Sequence, residues 1–397
     1  MLGPEFCTRP RGGRTRGAAL TFVFASVLAA ASVTNCLPRD PGAAERPAPR
    51  AAAAPAGHGD REERVDRREL ARAAAEAMAD GKSGAKAAEE VVSRSGDRWG
   101  VVYDQREYEE FAQALDGRYT GVGLSARRTA GGRVEVARVQ EGGPAQRAGL
   151  RAGDRIRTVD GRPVDGRSAA EVVALLRGDG ARPGTAVAVG VQRGTRAWSE
   201  TLRRARLATE DVTVRRLADG TLSIRVAAFT RGTGQRVRDA VRAAPRGAGV
   251  LLDLRGNSGG LVAEAVTAAS AFLDGGLVAT YDVDGEERAL YARPGGDTAR
   301  PLAVLVDGGT MSAAELLAGA LKDRGRAVAV GSRTFGKGAV QMPSRLPDGS
   351  VAELTVGHYR TPAGHGVDGR GITPDLAAPV RAEERARTVL SGLGTGS

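Results

Sequence analysis

At 397 residues the chain is long enough for two or three domains that each bury a core, and 41% hydrophobic to 26% charged residues is the balance of a soluble globular protein. The formal charge of +11 raises the question of a nucleic-acid partner, but the arginines interleave with Asp and Glu, and aromatics are only 4%, too few to stack bases beside them, so no nucleic-acid partner is expected. Cys7 and Cys36 fall on either side of a charge-free N-terminal stretch, which excludes an intramolecular disulfide framework.

Arg9, Arg11, Arg14 and Arg16 precede that stretch, Gly17 to Val33. The pattern predicts a signal peptide or single membrane anchor over residues 1–37, with Ala29-Ala30-Ala31 as a small-residue cleavage site. The rest of the chain is then extracytoplasmic, held at the cell membrane or secreted, and meets a membrane only through this segment. Residues 38–59, rich in Pro, Ala, Gly and Arg without periodicity, read as a disordered linker. Over 60–116 charged residues alternate with Ala, Val and Leu at helical spacing, so two or three helices are expected, for packing or for self-association into a homo-oligomer. From 117 to 206 short β runs follow one another between turns, with one helix over Ser168–Leu176 opened by the capping box Ser168/Glu171. After Leu207 strands (249–254, 302–306, 327–330) alternate with helices (261–273, 312–322), the order that builds a parallel sheet covered by helices. Residues 339–346 and 351–359 form a hairpin around Pro347-Asp348-Gly349, the domain ends near 380, and 381–397 remains as a C-terminal tail.

Only four of the 58 basic residues are lysines: Lys82, Lys86, Lys322 and Lys337. Lys337 sits between Gly336 and Gly338 and next but one to Phe335, where a solvated charge has little purpose. Arginine cannot give up its proton, whereas a desolvated lysine can, so burial against Phe335 and glycine backbone would make Lys337 a general base. Ser312, 25 residues upstream, follows an apolar strand and a Gly-Gly turn and opens a helix, where the dipole favours a developing negative charge. Taken alone, Ser312-Ala313-Ala314-Glu315 reads as an ordinary capping box; paired with Lys337, Ser312 reads as the nucleophile of a Ser–Lys dyad.

Asp253-Leu254-Arg255-Gly256-Asn257-Ser258-Gly259-Gly260 leads from a strand into a helix, and its paired glycines can aim N–H groups into a cleft as an oxyanion hole; the plainer reading is a turn held by an Asp253–Arg255 ion pair. Gly331 to Lys337 fits the start of a phosphate-binding loop, but Gly338 stands where Ser or Thr should be and a strand follows in place of a helix, so nucleotide binding is set aside. Of the three histidines, His58 falls in the linker, and neither His358 nor His365 has an evident Asp partner for a Ser–His–Asp triad.

Glu141-Gly142-Gly143-Pro144-Ala145, Gly149-Leu150, Gly153-Asp154-Arg155-Ile156 and Val159-Asp160-Gly161 resemble a PDZ domain of the bacterial protease type. Its carboxylate-binding loop would be Gly121-Val122-Gly123-Leu124, with a bound tail added as a strand at the sheet edge. DLRGNSGG, DGGTMSAAE, GSRTFGKGAVQ and GITPD (ending at Asp375) closely resemble the C-terminal processing peptidases, or tail-specific proteases, over about Glu107 to Pro379. That resemblance implies an α/β core of the ClpP/crotonase type and endoproteolysis near protein C-termini, with no cofactor and no metal. It implies Ser312 as nucleophile, Lys337 as base, Gln341 positioning the lysine amine, and Gly259 or Gly260 with Ala313 as the oxyanion hole. Ala314 departs from the family, where many members have a second serine. The substrates implied are unfolded or apolar C-terminal tails. Two other readings are a PDZ scaffold with a dead protease domain and a crotonase-like acyl hydrolase, which would have no use for a peptide-binding module.

Overall fold

The computed structural model describes residues 65–394, apart from 246, 284 and 285. The expected signal or anchor segment and the linker lie outside the described residues; within them, no helix is long and apolar enough to cross a membrane.

The helical region contains α1 (Arg67–Ala79), α2 (Gly84–Arg94) and α3 (Gln105–Leu115), each opened by a side chain that accepts an N–H of the first turn: Asp66, Ser83 and Asp104. Between α2 and α3 lies a strand that helical spacing does not predict, β1 (Val101–Tyr103). Three residues show no periodicity of their own; this strand forms because a hairpin far along the chain offers it an edge. Leu70, Ala74, Ala88, Val91 and Val92 of α1 and α2 bury against Leu346, Ala352 and Leu354 of that hairpin, so these helices brace it from behind.

The β-rich module opens with β2 (Arg118–Gly121) and β3 (Leu124–Arg128) and continues through β4 (Val134–Val139), α4 (Pro144–Arg147), β5 (Arg155–Val159) and β6 (Arg162–Pro163). It ends with α5 (Ala169–Arg177), β7 (Ala186–Arg193), β8 (Arg196–Arg203) and β9 (Ala205–Ala208). The sheet runs β3-β4-β5-β7-β8, which leaves β3 at an edge, and β2 pairs with β9 where the module joins the rest of the chain. Its core is almost wholly aliphatic, with Val134, Val136, Ile156, Val172, Leu176 and Val189 among the buried residues, as the low aromatic content requires. The Ser168/Glu171 capping box forms as read, and the buried Arg204 guanidinium closes the other end of α5 by donating to Leu176 O at 2.9 Å.

The last domain contains β10 (Val212–Arg216), β11 (Leu222–Val226), α6 (Thr233–Ala243), β12 (Val250–Asp253), α7 (Val262–Ala269), β13 (Leu277–Val283), β14 (Glu286–Tyr291) and β15 (Leu302–Val306). It continues with α8 (Ala313–Asp323), β16 (Val328–Gly331), β17 (Ala339–Arg345), β18 (Val351–Arg360), β19 (Leu376–Ala377) and α9 (Ala382–Gly394). Its main sheet, β10-β11-β12-β15-β16-β19, is parallel from β11 onward. Alternate residues of its continuous apolar strands serve opposite faces. Val250, Leu252, Leu302, Val304 and Val306 pack towards α6, α7 and α8, while Leu251, Ala303, Leu305 and Val330 pack under α9. The stretch read as a C-terminal tail is therefore a structural helix: Ala382, Ala386 and Leu390, four apart, bury one stripe on the sheet. A second sheet, β1-β18-β13-β14 with β17 on β18, carries the predicted hairpin; the β13–β14 hairpin within it was not predicted.

Candidate active site

The C-terminal ends of β12 and β15 are where loops of an open parallel sheet face a crevice, and the two motif turns meet there. Asp307 Oδ1 accepts from Gly256 N–H and Gly309 N–H, both at 2.9 Å, and Thr310 Oγ1 donates to Leu254 O at 2.9 Å. Met311 N–H donates to Asn257 O at 2.8 Å, so DLRGNSGG and DGGTMS are stitched into one unit. Ser312 follows with φ 55° and ψ −120°, a conformation a non-glycine residue holds only where its surroundings impose it. Gly259, at φ +96°, packs directly on it: an added Cβ would come within 2.8 Å of Ser312 Cβ.

The oxyanion-hole expectation narrows here. Gly259 N–H already donates to Asn257 Oδ1 at 2.9 Å, so it is not available to a substrate oxygen. Gly260 N–H donates to nothing among the described residues, and Ala313, first in α8, has no intrahelical acceptor for its N–H. The alternative use of this motif is present as well: Arg255 forms a two-pronged ion pair with Asp253, at 2.8 Å for each prong.

Lys337 is 1% exposed. Burial pulls its ammonium down from the usual 10.5 to about 8, against the opposing effect of Glu353, Asp97 and Asp368. The aromatic that covers it is not the expected Phe335, which is 49% exposed, but Trp99, whose ring centroid lies 5.1 Å from Nζ. Phe335 is next but one in sequence but points outward and packs on Trp99 at 5.9 Å. Gln341 is fully buried near by, yet its amide donates to Trp99 O at 2.5 Å and Glu353 O at 3.4 Å, and its Oε1 has no partner among the described residues. The structure thus gives Gln341 no direct bond to the lysine amine.

Two residues that sequence reasoning left out of the site join Ser312 to Lys337. Glu315 Oε2 accepts from the N–H of Ser312 at 2.9 Å and of Lys337 at 2.8 Å, and Oε1 accepts from Gly336 N–H at 2.7 Å and Thr334 Oγ1 at 2.5 Å. Burial pushes this carboxyl above its ordinary value while its four donors pull it back. The Tyr359 hydroxyl sits between the carbonyls of the same two residues, 2.7 Å from Ser312 O and 2.8 Å from Lys337 O. The capping box was the signal for Glu315; Tyr359 had none. Two histidines do have carboxylates near them, contrary to expectation: His358 Nε2 lies 3.9 Å from Asp368 and His365 Nδ1 3.9 Å from Asp323. Asp368 Oδ1 is already held by Trp99 Nε1–H at 3.1 Å and Gly338 N–H at 2.9 Å, and His365 is largely exposed.

In the β-rich module the expected loop lines a groove of about 440 Å³ between β3 and α5, with Val173, Leu176, Arg138 and Arg177 among its walls. Neither Val122 N–H nor Gly123 N–H donates to a described residue, while the carbonyls of both accept bonds from Ala145 and Gln140 that fix the loop.

The sequence profile of peptidase family S41 matches residues 220–378, and a PDZ-domain profile matches 135–185. The chain belongs to peptidase family S41. Over 280 residues it is 38% identical to a chloroplastic C-terminal processing peptidase of Tetradesmus obliquus, covering 66% of this chain and 60% of that protein. It is 31% identical to the carboxy-terminal processing protease CtpA of Bacillus subtilis, covering 71% of this chain and 61% of that one. The chain thus spans about three fifths of the length of these S41 relatives. The solved structure of a photosystem II D1 C-terminal processing protease aligns at 31% identity over 78% of this chain and 87% of that one, with a TM-score of 0.49.

Proposed function

We propose that this S41 chain is an extracytoplasmic serine endopeptidase that cuts proteins near their C-termini. The observation that carries the proposal is a buried lysine, in a chain with only three others, whose main chain is fixed by the same carboxylate and phenol that fix Ser312. The neutral Lys337 amine takes the Ser312 hydroxyl proton as Oγ attacks the scissile carbonyl. The N–H groups of Gly260 and Ala313 receive the oxyanion. Lys337 then returns the proton to the leaving amine, and water, deprotonated by the same amine, releases the acyl group from Ser312. The basic n-region and charge-free stretch over residues 1–37 support export. Against a dead scaffold stands the intact and desolvated lysine, and against an acyl hydrolase of small molecules stands the attached PDZ domain.

The PDZ groove supplies substrate tails in this proposal, with the unused N–H groups of Val122 and Gly123 receiving the terminal carboxylate and the tail adding beside β3. The test uses the chain lacking residues 1–37 and an unfolded protein substrate. Ser312→Ala abolishes its cleavage. Amidating the substrate's C-terminus raises KM about tenfold or more, the loss of charge-assisted hydrogen bonds to the loop. Equal cleavage of acid and amide forms would remove tail reading from the PDZ domain.

A further inference from the structure

Glu353 has no part in the mechanism above, and its situation is unusual. It is 0% exposed, and neither carboxylate oxygen has a hydrogen-bond partner among the described residues. An ionisable group buried that way is costly unless it faces a charge or a proton donor. Register supplies the neighbours. In the β17–β18 hairpin Gln341 pairs with Thr355 and Pro343 with Glu353, so Gln341 and Glu353 are diagonal neighbours on one face. On the other side Val101 of β1 pairs with Glu353, which brings Trp99 and Tyr103 to the same region. Gln341 donates to Trp99 O, and the Trp99 ring lies over Lys337 Nζ. One small buried region therefore holds an amine with three donors and three unmatched acceptors: Gln341 Oε1, Glu353 Oε1 and Glu353 Oε2.

Other groups facing this region are accounted for. Asp97 Oδ2 accepts from Thr355 N–H at 2.8 Å, and its Oδ1 from Thr355 Oγ1 at 2.7 Å and from the N–H groups of Trp99 and Gly100. Asp368 holds Trp99 and Gly338 as described, and its other oxygen faces Arg98 at 3.5 Å and His358 at 3.9 Å. Tyr103 of β1 and Tyr108 of α3 face Glu353, and burial, with Glu353 adding to it, raises both phenols, so they stay neutral; Arg345 and Glu107 act on these tyrosines from the rim. Of these carboxylates only Glu353 has no donor among the described residues, and it acts on Lys337 more strongly than Asp97 or Asp368.

We propose that Glu353 is a positioning residue that holds the ammonium form of Lys337, with Gln341 Oε1 as the second acceptor, and so sets the pH at which the base becomes available. Proton release from the pair is then a coupled process. With the carboxylate charged, Lys337 keeps its proton to higher pH; without it, the amine is neutral at lower pH. Burial raises the Glu353 carboxyl to about 7, while Lys337 pulls it down, so its range adjoins that of the amine at about 8.

This proposal rests on Lys337 being the base, and its primary test does not need activity. With only four lysines, a chain carrying isotope-labelled lysine shows few side-chain signals, and Lys337→Arg identifies the relevant one. In a Ser312→Ala background, Glu353→Gln should lower the Lys337 titration midpoint by about one pH unit, and Glu353→Asp should restore most of it. An unmoved midpoint overturns the proposal. In the active chain, Glu353→Gln should move the acid limb of kcat/KM to lower pH, so that the variant gains several-fold on the parent near pH 6.5; a uniform loss at every pH means a structural role only and overturns it too. If Glu353→Gln fails to fold, the Lys337 signal of the parent decides: two linked steps are expected, and a single one rejects the pair. Activity surviving Ser312→Ala would instead sink the peptidase reading and leave the titration result standing.

Discussion

Replacing Lys337 by arginine should leave a folded chain whose kcat is lower by about a thousandfold, because a guanidinium holds its proton at any pH the protein survives. The parent enzyme should show the complementary behaviour. Only the neutral amine accepts the serine proton, and burial under Trp99 brings the ammonium to about 8, so kcat/KM should rise roughly tenfold per pH unit below that and level off above it. At pH 7 about a tenth of the molecules are competent. Lys337→Met gives a second, less intuitive outcome. It should be as inactive as the arginine variant, yet more stable than the parent at neutral pH, because the folded parent must bury an ammonium that the unfolded chain keeps in water. The sign follows from linkage: a lysine with a depressed folded pKa costs stability while both states are protonated, and the cost fades as pH rises from about 8 to 10.5. A gain of up to about 3 kcal/mol near pH 7, vanishing above pH 10.5, should be visible in denaturant unfolding. Loss of stability at every pH in Lys337→Met would mean that the fold favours the charged amine over the neutral one, and the base assignment would fall.

What the sequence revealed was what lies close together along it. Ser312 with its strand and turn, Lys337 with its glycines, and the apolar runs of β12, β15 and β16 are contiguous signals, and each stands where its pattern predicts. What it concealed was produced by distance. Trp99 covers Lys337 from the other end of the chain, and the nearby Phe335 drew the assignment only because it was adjacent in sequence. Gly259 and Gly260 look equivalent as letters; the Asn257 side chain takes the N–H of one and leaves the other. Glu353 lies in a strand that reads only as half a hairpin, and nothing local marks its carboxylate as buried. β1 and the β13–β14 hairpin exist through pairing with β18, whose long edge no local pattern announces.

Glu315 carries a structural signature, and under the proposed mechanism it should be the most damaging position to alter outside the dyad. As a capping box it needs only to serve Ser312 N–H, but its carboxylate also takes the N–H of Gly336 and Lys337 and the Thr334 hydroxyl. Glu315→Ala strands four buried donors, and a loss of about 3–5 kcal/mol is expected, enough to unfold a marginal domain. Glu315→Gln is the finer probe. It keeps the volume and one acceptor oxygen but turns the other into an NH2 group facing N–H donors it cannot bond. The serine turn and the lysine loop should then separate by a fraction of an ångström, and kcat should drop about a hundredfold with KM little changed, since misplacement affects the reacting atoms more than tail binding. Tyr359→Phe leaves the carbonyls of Ser312 and Lys337 without their shared donor and should show the same pattern more mildly, with about 1–2 kcal/mol lost. If both variants lowered the melting temperature but kept kcat, the two side chains would be supports of the fold alone. The expected coupling is tighter: the carboxylate and phenol brace one main-chain frame from its N–H side and its carbonyl side, and the nucleophile and base are registered to each other through it.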